Sequence, residues 1–404
     1  MKKLLWIGDG PDCPSGFGRA TREILDTLRY TFDVTVLGIN YRGDPGTVPY
    51  PVYAAAPGGD AFGVGRLVWM VDVAQPDVIV IQQDGWNIPS YIHQLRKFPE
   101  HDHIPVVAAV AVDGKNFNGK WLDGVTLAIF WTDFAAQEAR LGGYEGPLAV
   151  IPLGVDRTVY FPEPQHEARR RRLPEVLWDA FIIGNVNRNQ PRKRWDLTVK
   201  FFAEWVKRSQ IDDAYLYMHT APTGDLGTNV KELARYYGVL ERLALMEPPT
   251  WYGIPEAQMR ETYNCFDVCV TTTQGEGFGL PTLEAMACGV PVIAPDWSAL
   301  GDWAVGAVDL IPCPTTLIGP PYVNVIGGIP DQGEFVAALD RMYMDKYRKV
   351  SGKRALVRAS EERFSWNHIG EAWASTLEQV LHDQSQDGRQ TAGEQNQGVC
   401  EKVS

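Results

Sequence analysis

The stretch Thr271-Thr272-Thr273-Gln274-Gly275-Glu276-Gly277-Phe278-Gly279-Leu280-Pro281-Thr282-Leu283-Glu284-Ala285-Met286-Ala287-Cys288-Gly289-Val290-Pro291-Val292-Ile293-Ala294 decides the fold. Its β-branched flanks, Val268 to Thr273 and Val290 to Ala294, read as strands. Between them the pattern predicts a short helix, with Pro281 at its first position and Gly289 just past its end. Gly275, Gly277 and Gly279 leave the loop backbone bare and free to take positive φ. The loop amides and the helix start therefore make a natural phosphate seat. Glu276 and Glu284 flank that seat, and a carboxylate beside a diphosphate is repulsive, so both need other work. Acceptor-only oxygens suit sugar hydroxyls. One of the two reads as holding a ribose and the other a transferred sugar. The plainer alternative places Glu284 on the helix dipole and leaves Glu276 solvated.

Outward from this stretch, the 404 residues suffice for two domains, each with its own core. Hydrophobic residues make up 45%, yet no apolar run approaches the roughly 18 residues that span a bilayer. The opening Met-Lys-Lys-Leu-Leu-Trp-Ile-Gly-Asp-Gly lacks the apolar region of a signal peptide and suits a first strand. A net charge of −12 argues against a broad grip on nucleic acid or anionic lipid. Cys13, Cys265, Cys269, Cys288, Cys313 and Cys400 are scattered without zinc-ligand spacing, which points to thiols in a reducing cytoplasm.

Strands are expected at Leu4 to Gly8, Asp33 to Ile39, Pro76 to Gln82, Pro105 to Val112 and Leu127 to Thr132. Helices are expected near Gly18 to Leu28, Ala61 to Val73, Ile88 to Lys97 and Asp133 to Leu141. This alternation marks a parallel sheet wrapped on both faces, with ligands beyond the strand carboxyl ends. Two such ends, Gln82 to Asn87 and Val112 to Asn116, are chemically rich. Gly8 to Gly18 carries neither a dinucleotide fingerprint nor a P-loop, so nicotinamide and P-loop chemistry lose support. Further strand–helix pairs follow: Ala180 to Asn187, then Ala214 to Thr220 before a helix from about Gly227, then Leu243 to Glu247 before one from Pro255. Arg188-Asn189-Gln190-Pro191-Arg192-Lys193-Arg194 is a basic loop between strand and helix. Fixed cations of this kind stabilise a departing diphosphate. Gly319 to Gly333 reads as a long surface loop, Asp331 to Ser360 as helical and amphipathic, and Gln384 to Ser404 as disordered.

The string Glu276, seven residues, Glu284, wrapped around Gly-Phe-Gly-Leu-Pro, resembles the signature of retaining GT-B glycosyltransferases of the GT4 type (glycosyltransferase family 4, or glycosyl transferases group 1). The resemblance implies an α/β fold of two doubly wound Rossmann-like domains facing a cleft, with a C-terminal helix crossing back to the first. On that basis 1–155 is the acceptor-side domain, 156–178 a connector, 179–364 the nucleotide-sugar-binding domain, 365–383 the crossover helix and 384–404 a disordered tail. Arg188 and Lys193 fall on the family's diphosphate pair. Gly277, Phe278, Gly279, Leu280 and Glu284 belong to its donor-binding loop, and Gly16 with Gly18 to its opposing glycine turn. Many members carry a His where this chain has Asp113. Asp113 either meets the donor sugar or acceptor hydroxyl, or closes a turn with Gly114. His219 ends a strand where the nucleotide lies, or is structural. Arg169 to Arg172 either meet phosphates or form a solvated helix face, the reading preferred here.

The implied activity is transfer of a hexose from a nucleoside-diphosphate sugar, UDP-linked first of all, to a hydroxyl with retained configuration. Asp113, Arg188, Lys193 and Glu276 are the catalytic candidates. No acidic pair is spaced for a metal, so neither a metal nor a cofactor is expected beyond the nucleotide-sugar co-substrate. The acceptor stays open among a small molecule, a glycan, a lipid and a modified base in nucleic acid. The alternatives are a GT-B epimerase or hydrolase and a non-catalytic nucleotide-sugar binder.

Overall fold

Continuous apolar runs require strands covered on both faces, and the computed structural model arranges them as two parallel sheets. It describes residues 1–43, 48–57, 59–223, 226–246, 253–319 and 323–400. The first sheet is built from β1 (Lys2–Asp9), β2 (Phe32–Ile39), β3 (Val52–Ala54), β4 (Val78–Asp84), β5 (Val106–Ala111), β6 (Leu127–Phe130) and β7 (Leu148–Val150). Their order is β3-β2-β1-β4-β5-β6-β7. The second contains β8 (Phe181–Val186), β9 (Ala214–His219), β10 (Leu243–Met246), β11 (Val268–Val270), β12 (Val292–Pro295) and β13 (Asp309–Ile311), ordered β10-β9-β8-β11-β12-β13. In each sheet the order reverses once, between β1 and β4 and between β8 and β11. Connections leave such a point in opposite directions, so a crevice opens beyond the strand carboxyl ends.

The two sheet units, called lobes below, share one apolar cluster. It runs from Trp6 and Ile24 in the first through Leu283 and Trp303 in the second to Trp373. Trp373 belongs to the last helix, Trp366–Cys400, which crosses back onto the helix Gly16–Leu28. Its indole lies 5.2 Å from that of Trp6. Gly370 is required at this crossing, because a Cβ there would meet Thr27 at 2.4 Å.

Several sequence expectations are corrected. The first-lobe helix expected near Ala61 starts at Leu67, because Asp60 accepts the amides of Phe62, Gly63 and Gly65 and winds a tighter turn first. The helix expected from Gly227 starts at Val230 behind the Asn229 cap, and Gly227 is instead packed on Asn189. Gly319 to Gly333 is not an irregular loop. Val325–Ile329 (β15) pairs antiparallel with Thr315–Gly319 (β14), and a bridge from Ile326 to Lys115 ties this ribbon to the first lobe. Gly327 and Gly328 are there for close approach, to Gln274 and Trp297, and not for looseness. Asp331 to Ser360 is helical as expected, and it divides into Gln332–Tyr343 and Asp345–Ala359 where Met344 takes an extended ψ of 114°. The last helix runs on to Cys400, and residues 401–404 of the expected disordered tail lie outside the described residues. The arginine run lies on the helix Gln165–Arg172 but is not a solvated face throughout. Arg169 is buried, with Nη2 2.6 Å from Asp267, and Arg171 pairs with Glu163 and Glu261.

Trp373→Ala should lower the unfolding free energy by about 3–5 kcal/mol, the cost of emptying a fully buried aromatic site. Chemical denaturation measures it, and an unchanged midpoint would mean that the crossover helix is not docked.

Candidate functional site

Two loops at the β8/β11 reversal carry the charges. After β8 the chain turns through Pro191–Lys193 and enters the helix Trp195–Ser209 at Arg194, which takes a left-handed φ of 51°. After β11 it runs through the glycine loop into the helix Leu280–Ala287. Buried hydroxyls lock the two loops together. Thr272 Oγ1 donates to the Arg194 carbonyl at 2.8 Å and lies 2.6 Å from Thr198 Oγ1, while the Gln274 amide donates to the Arg192 carbonyl at 2.7 Å. This is why Val268 to Thr273 is a strand only to Val270: the threonines serve the loop.

That lock brings Lys193 onto Glu276. Its Nζ donates to both carboxylate oxygens, at 2.5 and 2.7 Å, and the two residues are each 7% exposed. Burial, aided by the neighbouring Arg192, pushes the Lys193 ammonium down to about 8 against the pull of Glu276. Burial opposes ionisation of Glu276, but Lys193 and Arg192 outweigh it and hold the carboxyl below its ordinary range. Arg192, left without a direction by the sequence, spans the cleft. Its Nη1 donates to the Gly275 carbonyl at 2.8 Å and lies 3.3 Å from Glu276, while Nε lies 3.4 Å from Asp113 of the first lobe. Arg188 interacts electrostatically with Asp9 and Cys13 at the end of β1.

On the first lobe, Asp9, Asp84 and Asp113 stand at or just beyond the ends of the neighbouring strands β1, β4 and β5. Asp9 accepts from Ser15 Oγ at 2.5 Å, and burial raises its pKa. Burial and the proximity of Asp113 push Asp84 up to about 6. Ser15 caps the following helix by accepting the Gly18 amide at 2.9 Å. Gly18 is therefore a packing glycine, since a Cβ would meet the Cys13 carbonyl at 2.3 Å. Gly16 faces Leu280 across the cleft.

The glycine loop is bare mainly so that the lobes can touch. A Cβ on Gly275 would sit 1.6 Å from the Asp113 carbonyl, and one on Gly277 would sit 2.8 Å from Ala111. Of the three glycines only Gly279 takes positive φ, at 93°. The amides of Gly275 and Glu276 are already engaged, by Thr273 and Ser298. Phe278 is core, its ring stacked 5.3 Å from Trp303, so only its backbone can meet a ligand. Leu280 is buried at the helix start. A small cavity remains at the reversal point, lined by Asn187, Thr271, Glu276, Gly279 and Thr282 among others.

Glu284 does not join this cluster. It is 5% exposed and accepts from Arg19 of the first lobe and from the Tyr263 hydroxyl, the latter at 2.7 Å. Its plainer reading, as a helix-dipole partner, fails, because it sits mid-helix with both oxygens engaged. Burial nevertheless raises its pKa, with Arg19 and Tyr263 opposing. His219 ends β9 opposite Val186, and its carbonyl accepts the Asn187 amide at 3.4 Å. Burial and then Arg172 push its imidazole down to about 4, so it is neutral near pH 7. Sequence reasoning missed Asp9, Arg19 and the reach of Arg192. A carboxylate closing the first strand was the available signal for Asp9. Among the described residues no three His, Cys, Asp or Glu side chains are grouped to hold a metal.

The family model described as family 4 glycosyltransferase in conflict systems matches residues 145–373, more than half of the chain. The chain belongs to this family. As a family 4 glycosyltransferase it is 28% identical over 231 residues to a D-inositol 3-phosphate glycosyltransferase of Stackebrandtia nassauensis, a match covering 55% of this chain and 47% of the relative. The chain thus spans about half the length of the curated relatives it matches. Its GT-B fold superimposes on sucrose-phosphate synthase of Thermosynechococcus elongatus with a TM-score of 0.75, at 17% identity, covering 95% of this chain and 100% of that one. Anabaena HepE in complex with UDP-glucose gives a TM-score of 0.70, also at 17% identity, covering 94% and 100%.

Removing one side of a buried pair costs about 3–5 kcal/mol, whereas replacing both with apolar groups is often neutral. Glu276→Ala should therefore destabilise the protein more than the double variant Lys193→Met, Glu276→Leu does. Equal losses in thermal denaturation would show that the pair is solvated.

Proposed function

We propose that this chain transfers a hexose from a UDP-sugar to an acceptor hydroxyl with retention of configuration. The observation that carries the reading is the Arg192–Lys193–Glu276 cluster at the β8/β11 reversal, facing Asp113. Lys193 and Arg188 neutralise the departing diphosphate. Donor binding exchanges the Lys193–Glu276 pair for Lys193 with phosphate, and the released Glu276 oxygens accept the hydroxyls of the transferred sugar. Glu284 holds the ribose. The likeness to HepE, whose structure contains UDP-glucose, supports a UDP-linked donor.

In the proposed step the acceptor oxygen bonds to the anomeric carbon on the face from which the phosphate oxygen departs. The acceptor proton passes to that leaving phosphate. The chain then needs no nucleophile of its own; it orients the partners and stabilises charge with fixed cations. No metal is required in this scheme. The free thiols at Cys13, Cys265, Cys269, Cys288 and Cys313 suit a reducing compartment, the cytoplasm.

A thermal-shift panel of nucleotide sugars tests the donor. A true donor at 100 times its dissociation constant adds about 2.7 kcal/mol of stability, so a panel without any shift refutes the assignment. Lys193→Ala should reduce transfer by roughly 10²-fold or more, with wild-type rates counting against the role. A diphosphate binds the protonated ammonium, and Lys193 loses its proton near pH 8. UDP affinity should thus be full below that pH and fall above it, and Lys193→Met should abolish the dependence in calorimetric titrations.

A further inference from the structure

We propose that Arg19 is a positioning residue: from the first lobe it holds the Glu284 carboxylate in the orientation that receives the paired hydroxyls of a nucleotide ribose. This rests on the reading of Glu284 given above. The helix bearing Arg19 starts at a fixed point, because Ser15 caps it and Asp9 in turn holds Ser15. Arg19 Nη1 donates to Glu284 Oε1, and the Tyr263 hydroxyl donates to Oε2. A carboxylate accepts about four hydrogen bonds, so each oxygen keeps acceptor capacity for a diol beyond the one donor it already has.

The guanidinium is itself held. Its Nε lies 3.2 Å from Glu256 Oε1, an oxygen that Arg22 Nη2 also approaches at 2.6 Å. Its carbon centre stands 5.6 Å from the centre of the Tyr160 ring. The pair is shielded, with side-chain exposures of 23% for Arg19 and 7% for Glu284. Water cannot replace the guanidinium easily. Without it burial would favour the neutral carboxyl, which gives up an acceptor site and acquires a donor. One planar guanidinium reaches Glu284 and Glu256 at once.

The competing account is a tether between lobes with no bearing on ligand recognition. Calorimetric titration of the full chain with UDP, 2′-deoxy-UDP and 3′-deoxy-UDP separates the two. The wild type should favour UDP over either deoxy form by about tenfold or more, the range for a hydrogen bond to a charged group. Arg19→Gln should bring that ratio close to one, as should Glu284→Gln, while Arg19→Lys, which keeps the charge and protects against misfolding, should retain most of it. An Arg19→Gln protein that binds all three ligands more weakly but keeps the wild-type ratio overturns the proposal and leaves a tether. A wild type that binds UDP yet ignores the ribose hydroxyls overturns the ribose role of Glu284, and the inference with it. A wild type that does not bind UDP at all refutes the UDP donor itself.

Discussion

Opposite charges held out of water at Lys193 and Glu276 set the terms for everything around them. Neither could be buried alone, because the desolvation of an isolated ion exceeds anything that nearby packing returns. The pair is tolerated because Arg192 adds a second cation, Ser298 fixes the Glu276 backbone, and buried threonines hold the two loops in register. Such a pair is a poor source of stability and a good means of fixing geometry. It keeps a cation at the mouth of the β8/β11 crevice, where an anion can exchange partners with it.

The two lobes divide the chemistry unequally. The second contributes Arg192, Lys193, Glu276 and the helix start, and the first contributes Arg19 and carboxylates at the ends of β1, β4 and β5. Contact between them is made at backbone level. Gly275 and Gly277 lie so close to Asp113 and Ala111 that any side chain would wedge the cleft open. The ribbon β14–β15 closes the same junction by bridging to Lys115, and Lys115 in turn lies over Trp297 at 4.7 Å. Side chains of both lobes thus face one another across the junction, as the Arg192–Asp113 approach shows.

Much of this was legible in the residues. Buried parallel strands need long apolar runs, so the sheets announced themselves. The glycine loop, Pro281 and Gly289 marked a helix whose observed span, Leu280–Ala287, fits between them. Arg188 and Lys193 stood out only through the family resemblance, since a basic loop between a strand and a helix reads by itself as a surface turn. What escaped had a common cause: its meaning depends on a neighbour distant in sequence. Arg192 was one of several basic residues until Asp113 and Glu276 were placed beside it. Arg19 looked like an ordinary helix residue, although its partner lies 265 positions away. Gly327 and Gly328 resembled loop filler because the surfaces they press against, Gln274 and Trp297, belong to other segments.

The sequence by itself determined the two parallel sheets, the glycine loop and the charge content of the cleft. These depend on periodicity, backbone permissiveness and residue type, which are local properties of a chain. Only the tertiary structure decided which charges pair, that Gly275 and Gly277 serve contact between lobes, and that Glu284 answers to Arg19. Those outcomes follow from burial and distance, and a single carboxylate or guanidinium carries no mark of either until the chain has folded around it.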